Sequence, residues 1–311
     1  MSYRIEPRLP VTAEVRRIAS VEIDAALDDL SVSRTAPETG LHACRKKIKK
    51  LRALFRLVQS GDEAFCRAEN MRYRDISRSL AGAREDTALI ETVDRLVKTF
   101  PGQTAGGKLD AVRAALVSRR SLKAREGTGR EDTIDAAVNA FEQGRLALAN
   151  MDLPDEPQAA ADMLADGARK AMRRARRALK AAAKDGRMED FHELRKAVKS
   201  HWQHVLLLHR FWPAPVRRRR KALETLGDRL GDLNDVFVLQ GLIATEPGEL
   251  GPKEQIALLL RLLKRSEKSL RKECLRKANN LFGDAPKPRA GKIAGRYRAG
   301  VSDVGDGPAH V

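Results

Sequence analysis

Apolar residues recur along most of this chain at spacings of three and four, the period of a helix packed on one side. Val15, Ile18, Ile23, Ala26 and Leu27 predict a first helix over about 11–30, with Thr12 as its N-cap. After a break at 37–40, Leu41, Cys44, Ile48, Leu51, Phe55 and Val58 predict a second over about 41–59. A third reaches about residue 80 through Phe65, Met71 and Ile76, bends near Ala81-Gly82, and continues through Leu89, Val93, Leu96 and Val97 to the stop at Phe100-Pro101-Gly102. Two further patterns cover 108–123 and 132–150, separated by Glu126-Gly127-Thr128-Gly129. Pro154 and Pro157 cannot continue a helix, so 151–158 reads as a linker dividing the chain near its middle.

The second half restarts the first. Helices are expected over 159–184 and 188–210, the latter on Phe191, Leu194, Val198, Val205 and Leu208 and stopped by Pro213 and Pro215. Another opens at Arg217 to Lys221 and is expected to bend at Leu230-Gly231-Asp232-Leu233-Asn234-Asp235; a last one covers 253–282. From Gly283 onward Pro, Gly and charge dominate, and 284–311 reads as a disordered tail. There is no sustained alternating Val/Ile/Thr run, so the expected fold class is all-α, in two halves at about 5–150 and 159–283.

The polar positions carry a second pattern. His42-x-x-Arg45-Lys46-x-x-Lys49 returns 150 residues later as His192-x-x-Arg195-Lys196-x-x-Lys199. Offsets 0, 3, 4 and 7 share one helix face, so each copy lines up a histidine and three cations. The leucine–acid segments Leu80 to Glu85 and Leu230 to Asp235 keep the same register. Over 41–59 the copies share five identities, three of them cations and one the histidine. Apolar positions that diverge around a retained polar stripe suggest an internal duplication made for the stripe; two ordinary amphipathic helices with basic solvent faces are the plainer alternative. Neighbouring cations on such a face lie about 5–6 Å apart and repel, and a bound polyanion relieves that repulsion.

Composition sharpens the picture. Lys and Arg number 60 against 42 Asp and Glu, a formal net charge of +18, which favours nucleic acid, an anionic membrane surface or polyphosphate as partner. The candidate anion-binding set on the first half is His42, Arg45, Lys46, Lys49, Lys50, Arg52 and Arg56; on the second it is His192, Arg195, Lys196 and Lys199. Arg169, Arg173, Arg176 and Arg177 would extend the track, as would Arg217 to Lys221. Each histidine either donates one hydrogen bond as a neutral group or becomes protonated beside phosphate, strengthening binding toward about pH 6.5. His201, His204, His209 and His310 have no partner in the first copy and read as packing or surface.

Other chemistries fit less well. Aromatics are 4% of the chain and are not interleaved with the stripes, which disfavours base stacking; nonspecific nucleic-acid binding remains the alternative function. A phosphate-transfer enzyme is a weaker alternative: Gly106-Gly107-Lys108 is too short for a Walker loop, and no carboxylate cluster suggests a metal pair. No catalytic residue, metal or cofactor is expected. Cys44, Cys66 and Cys274 fit no disulfide framework or zinc spacing and read as reduced thiols in a cytoplasmic protein. Met1 to Pro10 lacks an apolar signal core, and no membrane span is expected.

These residues also carry a family resemblance. His42 to Leu54 resembles the signature helix of the conserved-histidine α-helical domain (CHAD) family, and Phe191 to Lys199 the matching helix of that family's second half. Leu80 to Glu85 and Leu230 to Asp235 are similar to its two bend motifs, and Leu9 to Ala19 to its opening, so the resemblance spans about 5–283. It departs at Glu85, where the family usually has Asp, and at His201-Trp202, which stands where the first copy has Leu51-Arg52. The resemblance implies two pseudo-symmetric helical bundles with a basic groove or channel between them. It implies non-catalytic binding of inorganic polyphosphate; targeting to polyphosphate granules is a further expectation for such a binder. Onto this chain it carries His42, Arg45, Lys46, Lys49, His192, Arg195, Lys196 and Lys199. The Glu-x-Glu-x-Lys signature of the triphosphate-tunnel domain often fused to such proteins does not occur, so a stand-alone module is expected.

Overall fold

The computed structural model describes residues 3–7, 9–80, 85–125, 130–213, 215–246 and 248–305. In chain order the helices are α1 (Val11–Thr35), α2 (Pro37–Leu57), α3 (Glu63–Ser79), α4 (Glu85–Thr99), the single turn α5 (Pro101–Thr104), α6 (Asp110–Arg125) and α7 (Arg130–Ala147). A 3-10 turn at Leu148–Asn150 follows, then α8 (Pro157–Lys184), α9 (Met188–Leu207), α10 (Val216–Thr245), α11 (Lys253–Phe282) and α12 (Lys287–Gly305). No strand occurs among the described residues, so the fold class is all-α.

The helices form where the apolar period places them and pack along those stripes. Val11, Val15, Ile18, Ile23, Ala26 and Leu30 of α1 are buried against α2, which buries Leu41, Cys44, Ile48, Leu51 and Leu54. In the second half α8 packs on α9, α9 on α10 and α10 on α11. One continuous hydrophobic cluster runs from Ile5 to Tyr297. The two halves meet where α2 packs on α8 and α9. Gly167 makes this approach possible: a Cβ there would lie 1.9 Å from the Leu57 carbonyl oxygen. α4 packs on α6 and also reaches the second half at α10, where Arg95 pairs with Asp232 at 3.0 Å.

Several local expectations are corrected. Thr12 does not cap α1, which begins at Val11. Its backbone N–H donates to Asp155 Oδ1 at 2.8 Å and its hydroxyl to the Leu153 carbonyl at 3.1 Å. The inter-half segment is therefore bound to the start of α1, and its Met151 and Leu153 are buried. Leu230 to Asp235 do not interrupt α10, which runs unbroken from 216 to 245 with Leu230 and Leu233 buried. One glycine in a helix costs about 1 kcal/mol relative to alanine, too little to break a long amphipathic helix. The first expected bend, Ala81 to Arg84, and the separator 126–129 lie outside the described residues.

The largest difference is at the C-terminus. Residues 287–305 of the expected disordered tail form α12, packed on α8. Ala290, Ile293, Ala294 and Tyr297 are buried, the Tyr297 ring meets Phe211 edge-on at 5.1 Å, and Arg296 donates to the Trp212 carbonyl at 2.7 Å. Those four apolar positions follow helical spacing, and their burial outweighs the cost of the glycines between them. Residues 306–311 lie outside the described residues.

Candidate functional site

The polar stripes occupy the faces of α2 and α9 opposite their buried leucines, and these two helices pack against each other. The contact is fixed by His204 of α9, which is fully buried and whose Nε2 donates to the Ala53 carbonyl of α2 at 2.9 Å. Burial pushes its pKa down to about 4, so the ring is neutral at physiological pH. Both histidine helices thus lie in one place in the fold.

On α9 the stripe meets a matched wall on α10. His192 Nδ1 lies 3.0 Å from Asn234 Oδ1, and the Asn234 amide donates in turn toward Asp235. With Oδ1 as acceptor, Nδ1 carries the hydrogen and Nε2 is left for a ligand. Lys199 donates to Asp228 at 3.1 Å and passes over Gly227, where a Cβ would lie 2.9 Å from its Cε. Arg195 lies over Gly231, and its charge acts on half-buried Asp235. Lys196 pairs back to Glu193 at 2.7 Å. The segment expected to bend is instead the second wall of the site. Its signal in the sequence is the pair Gly227 and Gly231 four apart, flanked by Asp228, Asn234 and Asp235.

The surroundings of α2 are different. His42 and Arg45 are half-buried, Lys46 and Lys49 exposed. Lys46 and Lys47 both act on the carboxylate of Asp29 on α1. Lys50 leaves the stripe: it donates to Glu22 at 2.8 Å and lies 4.9 Å from the Tyr3 ring centre, so it ties α2 to α1 and the N-terminal segment. Arg52 and Arg56 face toward the second half. Burial lowers the pKa of Arg52, and the neighbouring Arg74, Arg174 and Arg78 lower it further. Burial, Arg52 and Arg174 together push Arg56 down to about 10, with Glu193 opposing. Both remain charged at neutral pH, in a cluster of five arginines. Arg174 donates to Glu193 at 3.2 Å and so joins the α2 cluster to the stripe on α9. Arg74 and Arg78 were not among the expected site residues; their i, i+4 spacing on α3 was the available signal.

α8 does not extend the track as a single surface. Arg174 faces α2 and α9, whereas Arg173 and Arg176 are turned from it by about 100° and 160° around the helix. Arg169 pairs with Asp166. Arg173 and Arg176 instead line a separate cleft against residues 285–287. His201 is buried between the rings of Trp212 and Phe282, with Arg219 at 3.2 Å.

No group of three or more His, Cys, Asp or Glu side chains placed to hold a metal occurs among the described residues. Cys44, Cys66 and Cys274 are buried and free, with burial pushing each thiol up to about 12. No described helix is long and apolar enough to cross a membrane.

No curated protein matches the chain in sequence. Among solved structures, the crystal structure of the CHAD domain from the plant Ricinus communis superposes with a TM-score of 0.52 at 15% identity, over 94% of each chain; that likeness concerns the fold. The family model for the CHAD domain matches residues 22–244, which contain both histidine stripes and the α10 wall. The chain belongs to the CHAD domain family.

Proposed function

We propose that this protein binds inorganic polyphosphate without acting on it, on the basic surface where α2 and α9 meet, and that the Arg52–Arg56–Arg174 cluster extends this surface. The observation that carries the reading is the packing of two helices with the same histidine-and-cation stripe against each other, with Arg174 spanning from one to the other. Each polyphosphate unit carries about one negative charge, so a binder needs cations repeated at short intervals. Arg supplies a planar fork for phosphate oxygens and Lys a compact charge. The α10 wall holds His192 and Lys199 in place, and pre-set donors lose less freedom on binding. A cytoplasmic protein of this kind would collect where polyphosphate accumulates, such as storage granules.

Competition binding at about 0.15 M salt tests the reading, with long-chain polyphosphate against duplex DNA and RNA at equal phosphate. The wild type is expected to prefer polyphosphate, and Arg45→Glu with Lys49→Glu to abolish that preference. Equal binding of all three polymers, unchanged in the variant, would mean that the +18 charge acts diffusely. Release of phosphate from the polymer that disappears in His42→Ala or His192→Ala would replace a binding role with a catalytic one.

A further inference from the structure

The cleft beside α8 carries a stripe of its own. Arg173, Arg176, Arg177 and Lys180 stand at offsets 0, 3, 4 and 7, the spacing of the two histidine stripes, here with a cation at every position. Among the described residues none of these four has an ion-pair partner. Lys170, one turn earlier, also lines the cleft and is tied to Asp166 at 2.7 Å. The facing wall is residues 285–287, where Lys287 at the start of α12 adds a sixth cation, and the open cleft has a volume of about 550 Å³.

Two features of that wall add to the field. α12 begins at Lys287 and has no acidic residue in its first turn. Pro286 before it has no side-chain acceptor, so the first N–H groups of α12 lack both an intrahelical and a capping partner from that residue. Exposed Asp284 is the carboxylate nearest in sequence and does not line the cleft. The lining has no aromatic ring on which a base could stack. The positions 150 residues earlier are Ile23, Ala26, Leu27 and Leu30, so this stripe is no part of the repeated pattern.

We propose that this cleft is a second site for a phosphate oligomer, taking a short run of units apart from the α2–α9 surface. The identity of the ligand rests on the polyphosphate reading; the existence of an anion site rests on the cleft alone. A long chain engaging both places would gain affinity through effective concentration, and a short one would occupy the sites independently.

Calorimetric titration with tripolyphosphate and with long-chain polyphosphate separates the two sites. One variant carries Arg176→Gln, Arg177→Gln and Lys180→Gln; another carries Arg45→Gln, Lys49→Gln, Arg195→Gln and Lys199→Gln. Circular dichroism confirms that each is folded. The wild type is expected to take two equivalents of tripolyphosphate and each variant one. In the α8 variant, log affinity for the long chain should depend less steeply on log salt by about 2, roughly 0.7 for each lost contact as for single-stranded polyanions. Unchanged stoichiometry and salt slope in the α8 variant would overturn the second site while leaving the α2–α9 reading intact. The reverse, all binding lost in the α8 variant and none in the other, would overturn the α2–α9 reading and keep this one. A residual site in the second variant that takes duplex DNA as readily as tripolyphosphate would also overturn the assignment.

Discussion

The two histidine helices carry the same stripe but sit in opposite electrostatic surroundings. On α9, Lys199 has Asp228, Lys196 has Glu193, Arg195 has Asp235 within its field, and His192 has Asn234. Around the far end of α2, Arg52 and Arg56 have mainly other arginines, with Asp75 and Glu193 as the carboxylates in reach. In the free protein carboxylates stand beside the α9 stripe, whereas like charge crowds the C-terminal end of α2, at Arg52 and Arg56. On the proposed reading a polyanion would gain most beside Arg52 and Arg56, where it would relieve repulsion, and would find donors already oriented beside α9, where it would compete with carboxylates. The arginines at the end of α2 would then supply binding energy and the stripe on α9 geometry, although the two helices carry motifs that read alike in the sequence.

The strongest way to break this contrast is to remove the crowded charges. Arg52→Gln with Arg56→Gln should weaken polyphosphate binding by about 100-fold, at roughly tenfold for each charge-assisted contact. The same change should leave the urea midpoint of the free protein unchanged or raise it, because half-buried like charges are relieved. Arg195→Gln with Lys199→Gln should also weaken binding but lower the midpoint. Titration beside urea unfolding reads both quantities, and a lowered midpoint in the α2 variant would show its arginines to be structural.

Acid should loosen the contact that joins the stripes. His204 has a folded pKa of about 4 against about 6.5 unfolded. The neutral form is favoured by folding, so its contribution is complete above pH 6.5 and is lost as pH falls toward 4. The full loss is roughly 3 kcal/mol. His201, whose pKa burial also drives well below its ordinary value, acts in the same direction. In His204→Gln, whose amide can still donate to Ala53, the fall in unfolding free energy between pH 6.5 and 4 should be shallower than in the wild type. Identical slopes would remove His204 as the titrating group.

The helices and both stripes were legible because each depends on a local period: 3.6 for burial and 0, 3, 4, 7 for charge. What was not legible depended on which neighbour lies across a face. Lys50 belongs by composition to the basic run of α2, yet one residue of rotation from Lys49 turns it onto Glu22. Arg173 and Arg174 are adjacent in sequence and serve different surfaces for the same reason. The glycine of Leu230 to Asp235 reads as a bend, whereas Gly231 lies beside Arg195 inside an unbroken helix. α12 was hidden by its Pro and Gly content, although Ala290, Ile293, Ala294 and Tyr297 keep the helical period.

Smaller changes on α10 sharpen the contrast from the other side. A methyl group added by Gly227→Ala would stand 2.9 Å from Lys199 Cε, and the flexible side chain must swing aside. Loss of one oriented cation should weaken binding by a few-fold, up to about tenfold. Circular dichroism should be unchanged, since alanine suits a helix better than glycine.

The smallest effect separates orientation from competition most cleanly. Lys199 and Asp228 are 3.1 Å apart with side chains 39% and 67% exposed, so their pairing contributes about 0.2–1 kcal/mol. Bound polyphosphate must displace Asp228 from Lys199 or accept its charge nearby. Asp228→Asn keeps the side-chain shape and removes that charge. It should strengthen polyphosphate binding by about two- to fivefold at low salt, with the gain fading as ionic strength rises and screens the exposed pair. Asp75→Asn, which frees Arg74 and Arg78 in the crowded cluster, should do the same while also lowering stability, because it deepens the repulsion. Titrations of the two variants across salt concentration compare them directly. Weaker binding in Asp228→Asn would mean that the carboxylate holds Lys199 where the ligand needs it, and that the acids of α10 belong to the site as firmly as the cations they face.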